Sequence, residues 1–245
     1  MTKFTLPLLA VAFAAAAVPA FAADLPQGVV AVPPPPAAAL LNTLQFESSP
    51  EFFALDAGGG SPHSAGELAD WYGKGTYTRV LGSGFSASAA IQDTLKSLGS
   101  SANLSQQYYE GALAYKLSPG NGLSFTVTAT LGYTAGNTTY VGGKPTGAGN
   151  PDLGNSDDAY LYYAITGAVD WKVDSHWTWN VINARYRNAF DRTWLTPKVY
   201  TGITYNIDSA DAVYANVGYS WKDNGNGAGL NGDKFNVAVG YKYSF

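Results

Sequence analysis

Cysteine is absent from the 245-residue chain, so no disulfide framework contributes to its stability. Charge is scarce too. Asp, Glu, Lys and Arg make up 13% of the residues, about half the share of roughly 25% carried by soluble domains. Much of the surface is therefore expected to face something other than water. Past Ala22 no apolar run approaches the roughly 18 residues that a membrane-crossing helix needs. The segment 28–41 is apolar, but Pro33 to Pro36 have no N–H to donate and cannot lie inside a helix. A net charge of −4 and a pI near 5 give no reason to expect nucleic acid as a partner.

What is abundant is aromatic. Phe, Trp and Tyr make up 14% of the chain, with 17 Tyr and 6 Trp. The last eleven residues show how they are arranged. Phe235, Val237, Val239, Tyr241, Tyr243 and Phe245 alternate with Asn236, Ala238, Gly240, Lys242 and Ser244. In a strand the two sets point to opposite faces. A strand with lipid on one side and a wet lumen on the other needs this pattern over about 9–11 residues. A mean hydropathy of −0.07 suits such alternation.

The alternation predicts strands over 71–81, 84–96, 106–117, 122–134, 159–173, 177–188, 194–207, 212–222 and 235–245. Tight turns (Gly82-Ser83, Ser118 to Asn121, Asp174 to His176, Asp208 to Asp211) alternate with longer polar stretches at 97–105, 135–158 and 223–234, while Ala189 to Thr193 is unusually short. Short turns on one side and long loops on the other are the habit of a barrel. Nine strands do not close an ordinary bacterial barrel. The tenth is expected at Thr43 to Leu55, despite Pro50, with Gly58 to Pro62 in the following loop. The expected fold is all-β: an antiparallel up-and-down transmembrane barrel of ten strands, with eight as the alternative. The organisation expected is a Sec-type signal peptide over 1–22, ending Ala20-Phe21-Ala22, a Pro-rich periplasmic leader over 23–42, and a barrel over 43–245.

If lipid is outside, the opposite faces line the lumen. They carry Lys74, Glu110, Lys116, Asp170, Lys172, Arg185, Arg187, Lys198 and Lys242. A Lys or Arg facing lipid at mid-bilayer costs about 2–4 kcal/mol, which favours placing these inside. The segment 177–188 conflicts with that rule, because Trp177, Trp179 and Val181 share parity with Arg185 and Arg187. Either a bulge switches the faces or the tryptophans sit at a rim. Ten strands enclose little space, so the lumen is expected to be crossed by ion pairs, leaving at most a narrow, weakly anion-favouring path.

Catalysis finds little to work with. His176 falls in a predicted turn. His63 lies in Ser61-Pro62-His63-Ser64-Ala65-Gly66-Glu67, a loop that offers no rigid geometry. Acidic groups at 152–158 and 223–233 lack the spacing of a calcium loop. No enzyme activity, metal or cofactor is expected.

Ala22-Ala23-Asp24-Leu25-Pro26, a proline-rich leader and a final Tyr-x-Phe strand resemble the small outer-membrane porin-like and opacity-type proteins of alphaproteobacteria. The ending also resembles the signature (Phe235, Val237, Val239, Tyr241, Tyr243, Phe245) by which such barrels are recognised for assembly. Those proteins are mainly eight-stranded with structural or surface-interaction roles. Their Trp-Thr-Gly-Phe-Tyr-type opening strand is replaced here by Asp70-Trp71-Tyr72-Gly73, and no functional residues carry over. The resemblance implies outer-membrane location, with membrane lipid and the barrel-assembly machinery as partners. The function expected is a non-enzymatic envelope barrel with narrow passage of small solutes. The alternatives are a pore-forming porin and a surface adhesin or ligand-binding barrel acting through 135–158 and 223–234.

Overall fold

The computed structural model describes residues 41–54, 65–97, 103–141, 160–190, 196–221 and 233–245. The proposed signal peptide, the proposed leader up to residue 40, His63 and the acidic segments at 152–158 and 223–232 lie outside them, while Asn42, placed at the end of the leader, belongs to β1. Ten strands follow in order: β1 (Asn42–Phe53), β2 (Leu68–Gly82), β3 (Phe85–Ser97), β4 (Asn103–Gly120), β5 (Leu123–Val141), β6 (Tyr160–Lys172), β7 (Trp177–Ala189), β8 (Lys198–Asn206), β9 (Asp211–Ser220) and β10 (Lys234–Ser244). Each pairs antiparallel with its chain neighbours, and β1 pairs with β10 to close the barrel. Every backbone edge is thereby satisfied, which is the condition for crossing hydrocarbon with strands.

The end of the barrel that holds Asn42 and Phe245 also holds four tight connections. Two have the φ signature of type I′ hairpins: Ser83 and Gly84 at 51° and 84°, Asn121 and Gly122 at 54° and 77°. Gly84 and Gly122 are required for space as well, since a Cβ would stand 2.6 Å from the Lys116 carbonyl and 2.4 Å from the Lys172 carbonyl. The other two are closed by aspartates. Asp174 accepts the N–H groups of His176 and Trp177, both at 2.7 Å, and Asp208 those of Ala210 and Asp211 at 2.7 and 2.8 Å. Bonding to the ionised form holds both carboxyls below the usual aspartate range.

Pro50 is accommodated at the seam. The ladder from β1 to β2 runs through Pro50↔Trp71, whereas the ladder to β10 skips from Ser48↔Val239 to Glu51↔Asn236. The proline lacks the N–H for that rung. Beside the gap a side-chain bond joins the same two strands: Asn236 Nδ2 donates to the hydroxyl of the fully buried Ser49 at 3.0 Å.

Three expectations need correction at strand ends. β8 begins at Lys198 rather than 194, with Thr196 and Pro197 outside the ladder; proline cannot extend it. β4 starts at Asn103 and β5 runs to Val141, so parts of 97–105 and 135–158 continue a hairpin instead of forming loops. Their Thr and Asn side chains are polar, but β-branched threonine is well suited to strands. The conflict in 177–188 is resolved by a bulge: Val169 pairs with Ile182 and Asp170 with Asn180, leaving Val181 as the extra residue. Trp177 and Trp179 therefore face outward while Arg185 and Arg187 turn inward.

The outward face is apolar. Phe46, Ile91, Leu113, Val127, Leu131, Ile165, Val217 and Val239 are each at least half exposed around its middle. Aromatics gather toward both ends. At the turn end lie the pairs Phe85–Tyr115, Trp171–Trp179, Trp177–Tyr205 and Tyr243–Phe245. Phe52–Phe235, Tyr163–Phe190 and Tyr219–Trp221 occupy the other end. These are the two girdles expected at membrane–water interfaces. Among the described residues, charges on this face lie toward its ends: Arg79 and Asp211 at the turn end, Asp93 and Asp233 toward the other.

Candidate functional site

The lumen is lined by the even residues of β2 to β6, and β8 to β10, and by the odd residues of β1. Small residues are placed where large ones need room. Tyr162 lies over Gly132 on β5 and Tyr214 over Gly240 on β10, each glycine directly paired with its tyrosine. A Cβ at Gly132 would stand 2.1 Å from the Tyr162 ring, and one at Gly240 would stand 2.2 Å from the Tyr214 ring. Asn216 over Gly202 and Asn236 over Gly218 repeat the device with amides. Flattened against the wall, these side chains stiffen the sheet and narrow the bore.

In the space that remains lie two polar cavities with no lining residue in common. The loop-side chamber, about 330 Å³, is lined by Glu47, Glu51, Asp70, Tyr72, Lys74, Tyr108, Glu110, Arg185, Arg187, Lys198, Tyr200 and Lys234, among others. Its charges are mostly tied together. Lys74 Nζ donates to Glu110 at 2.5 Å, and Tyr162 donates to the other oxygen of Glu110 at 2.8 Å. Lys198 bonds Glu51 at 3.2 Å across the bore from β8 to β1, and Lys234 bonds Asp70. Arg187 sits 5.8 Å and 5.6 Å from the ring centroids of Tyr108 and Tyr162 and donates through Nε to Thr196.

The turn-side chamber, about 480 Å³, is lined by Lys116, Ser124, Asp170, Lys172, Asn180, Thr204 and Lys242 with short polar neighbours. Asp170 accepts from Asn180 at 2.8 Å, and Lys242 lies 4.9 Å from the Tyr214 ring centroid.

A hydrogen-bonded layer stands between the two. Glu47 accepts from Tyr72 at 2.9 Å through one oxygen and from Tyr214 at 2.7 Å through the other, while Gln45 donates to the Tyr214 hydroxyl at 2.7 Å. One carboxylate thus links β2, β1 and β9. Charge-assisted bonds of this kind are roughly twice as strong as neutral ones, so the three side chains hold one another in place on this part of the wall.

All nine charged residues anticipated for the lumen line one chamber or the other: Lys74, Glu110, Arg185, Arg187 and Lys198 on the loop side, Lys116, Asp170, Lys172 and Lys242 on the turn side. Sequence reasoning missed Glu47, Glu51, Asp70, Lys234 and the inward tyrosines 72, 108, 162, 200 and 214. Parity within 43–55 carries the signal for Glu47 and Glu51, since Thr43, Gln45, Glu47, Ser49 and Glu51 are all polar and odd. His176 closes a turn, its Nδ1 3.0 Å from the Asn206 carbonyl and its ring stacked on Tyr205. Among the described residues no group of three His, Cys, Asp or Glu is placed to hold a metal ion.

No protein-family model matches the chain, and no curated protein matches its sequence. Solved structures do resemble it. An outer-membrane channel from Pseudomonas putida F1 aligns with a TM-score of 0.50 at 11% identity, covering 89% of this chain and 100% of that one. The fold is that of an outer-membrane β-barrel. The NanC porin aligns with a TM-score of 0.48 at 10% identity over 82% of this chain and 100% of its own. Ail, the attachment invasion locus protein of Yersinia pestis, aligns at 0.37 and 8% identity over 83% and 97%. At such identities the likeness concerns architecture alone.

Proposed function

We propose that this chain is a non-enzymatic barrel of the bacterial outer membrane that serves as a structural element of the envelope and admits only small solutes. The observation that carries the reading is the Gln45–Tyr214–Glu47–Tyr72 layer between two separate chambers. A barrel of about eight strands has an interior that side chains fill, while open aqueous channels appear at about 16–18 strands. Ten strands with inward tyrosines belong near the first limit. The girdled apolar face gives the lipid contact, and a closed barrel of this kind suits insertion by barrel-assembly machinery. The solved relative named as an outer-membrane channel makes passage the property to measure.

The test is swelling of liposomes that contain the refolded, full-length chain. Swelling in an isotonic pentose solution at the rate of protein-free liposomes is the expected result. A rate that falls off gradually with sugar size, as for a general diffusion pore, would overturn the reading in favour of a porin.

A further inference from the structure

We propose that the loop-side chamber is a binding site for a small oxyanion, a carboxylate or phosphate group of a solute, and that Arg185 is the residue that holds it. The four carboxylates lining the chamber are each engaged: Glu110 by Lys74 and Tyr162, Glu51 by Lys198, Asp70 by Lys234, and Glu47 by two tyrosines. Arg185 is not. Among the described residues it makes no hydrogen bond or ion pair, and its Nε is buried without a partner. A guanidinium has five donors in a rigid fork that fits a carboxylate or phosphate edge-on. Leaving it unbonded in a bore this narrow is costly unless something else takes the donors.

Its neighbours concentrate positive charge at the same place. Lys198 is directly opposite Arg185 on β8, and Arg187 follows two positions along β7 on the same face. Like charges directly opposed across two strands are destabilising, and the oxygens of the chamber's Glu110 already accept from Lys74 and Tyr162. An oxyanion seated on Arg185 relieves both the unmet donors and the repulsion. The chamber volume of about 330 Å³ limits the bound part to a few heavy atoms beyond the anionic group. Shallow, single-residue binding of this sort retains a solute above the Glu47 layer without trapping it. The site does not depend on whether that layer is closed, so a swelling result of either kind leaves it standing.

Four arginines in the chain make the site directly visible. The refolded full-length chain is labelled with ¹⁵N-arginine, and its Nε resonances are assigned with Arg185→Gln, Arg187→Gln, Arg79→Gln and Arg192→Gln. Sodium chloride is then replaced stepwise by sodium phosphate or sodium acetate at constant ionic strength. The expected result is a saturable shift of the Arg185 resonance with at least one of the two anions. The anion that saturates at the lower concentration names the class of solute. Arg185→Lys, which keeps the charge and loses the fork, should weaken binding about tenfold, read from the Arg187 resonance. Arg187→Gln should weaken it less. Heat-modifiable migration on a gel verifies that each variant is folded. A shift that is linear with concentration, that is confined to other arginines, or that Arg185→Lys leaves unaltered would overturn the assignment.

Discussion

The two chambers share a wall and differ in how their charges are held. On the loop side Lys74, Lys198 and Lys234 each reach a carboxylate. Tyr162 bonds Glu110 and the ring of Tyr72 stacks under Lys198, with Tyr108 and Tyr200 lining the same chamber. On the turn side Lys116 and Lys172 are exposed, and Ser, Thr and Asn stand among the charged residues of the lining. Taking two charges out of water requires close partners and satisfied hydrogen bonds, which the tyrosine-lined half supplies. The turn side leaves two of its three lysines, Lys116 and Lys172, open to solvent. The loop side is therefore the half where a single side-chain loss leaves a charge stranded, and the half where an unengaged guanidinium stands out.

The largest effect should follow from breaking a pair on the loop side. Glu110→Ala removes the partner of Lys74 and an acceptor of Tyr162, and should lower stability by about 3 kcal/mol. Lys172→Ala on the turn side should stay within about 0.5 kcal/mol. Urea unfolding of both variants in lipid vesicles makes the comparison, and equal losses would erase the distinction between the halves. The double change Lys74→Met with Glu110→Met should recover much of the stability, because apolar replacement of both partners leaves no charge unpaired.

Next in size is the packing of tyrosine on glycine. Gly132→Ala forces a methyl into the Tyr162 ring and should cost about 1–3 kcal/mol. Gly167→Ala, on the lipid face with open space at its Cβ, should be neutral or stabilise by about 0.5 kcal/mol. The same unfolding assay ranks them, and a neutral Gly132→Ala would mean that the tyrosine is free to swing away.

The smallest effect lies in the turns. Asp174 and Asp208 have carboxyls held below the ordinary value, near 3.9 for a free aspartate. A lowered folded-state value contributes stability that is present above about pH 4 and is lost as pH falls through the lowered value. The unfolding midpoint of the natural chain should therefore drop below about pH 4, and Asp208→Asn should reduce that slope while changing little at pH 7.

Most of this architecture was legible in the chain because the bilayer enforces a strict rule. An even strand count demanded a partner for the nine clear strands, and Thr43–Leu55 supplied it despite Pro50. Parity likewise separated Lys74, Glu110 and Lys242 from Leu113 and Tyr241. It failed where a residue type belongs on both faces. Tyr162 lies in the lumen and Tyr163 on the lipid side, and tyrosine is equally suited to a girdle and to a hydrogen-bonded interior. Adjacent tyrosines therefore carry no information about which is which until the neighbouring glycine, Gly132 opposite Tyr162, is known. The Val181 bulge was legible only as a contradiction, with tryptophans and arginines on one parity. Which lysine meets which carboxylate depends on chords across the bore, such as Lys198 to Glu51, and no local pattern encodes a contact between residues 147 positions apart.

Single-channel recording in planar bilayers tests most directly whether a hydrogen-bonded layer divides the lumen. The full-length chain is compared with a Tyr72→Ala, Tyr214→Ala double variant, which removes both donors to Glu47. At most small conductance steps are expected for the natural chain, and larger, persistent steps for the variant. Steps of equal size in both would contradict a dividing layer, since the path would then be open without any change at the Glu47 layer.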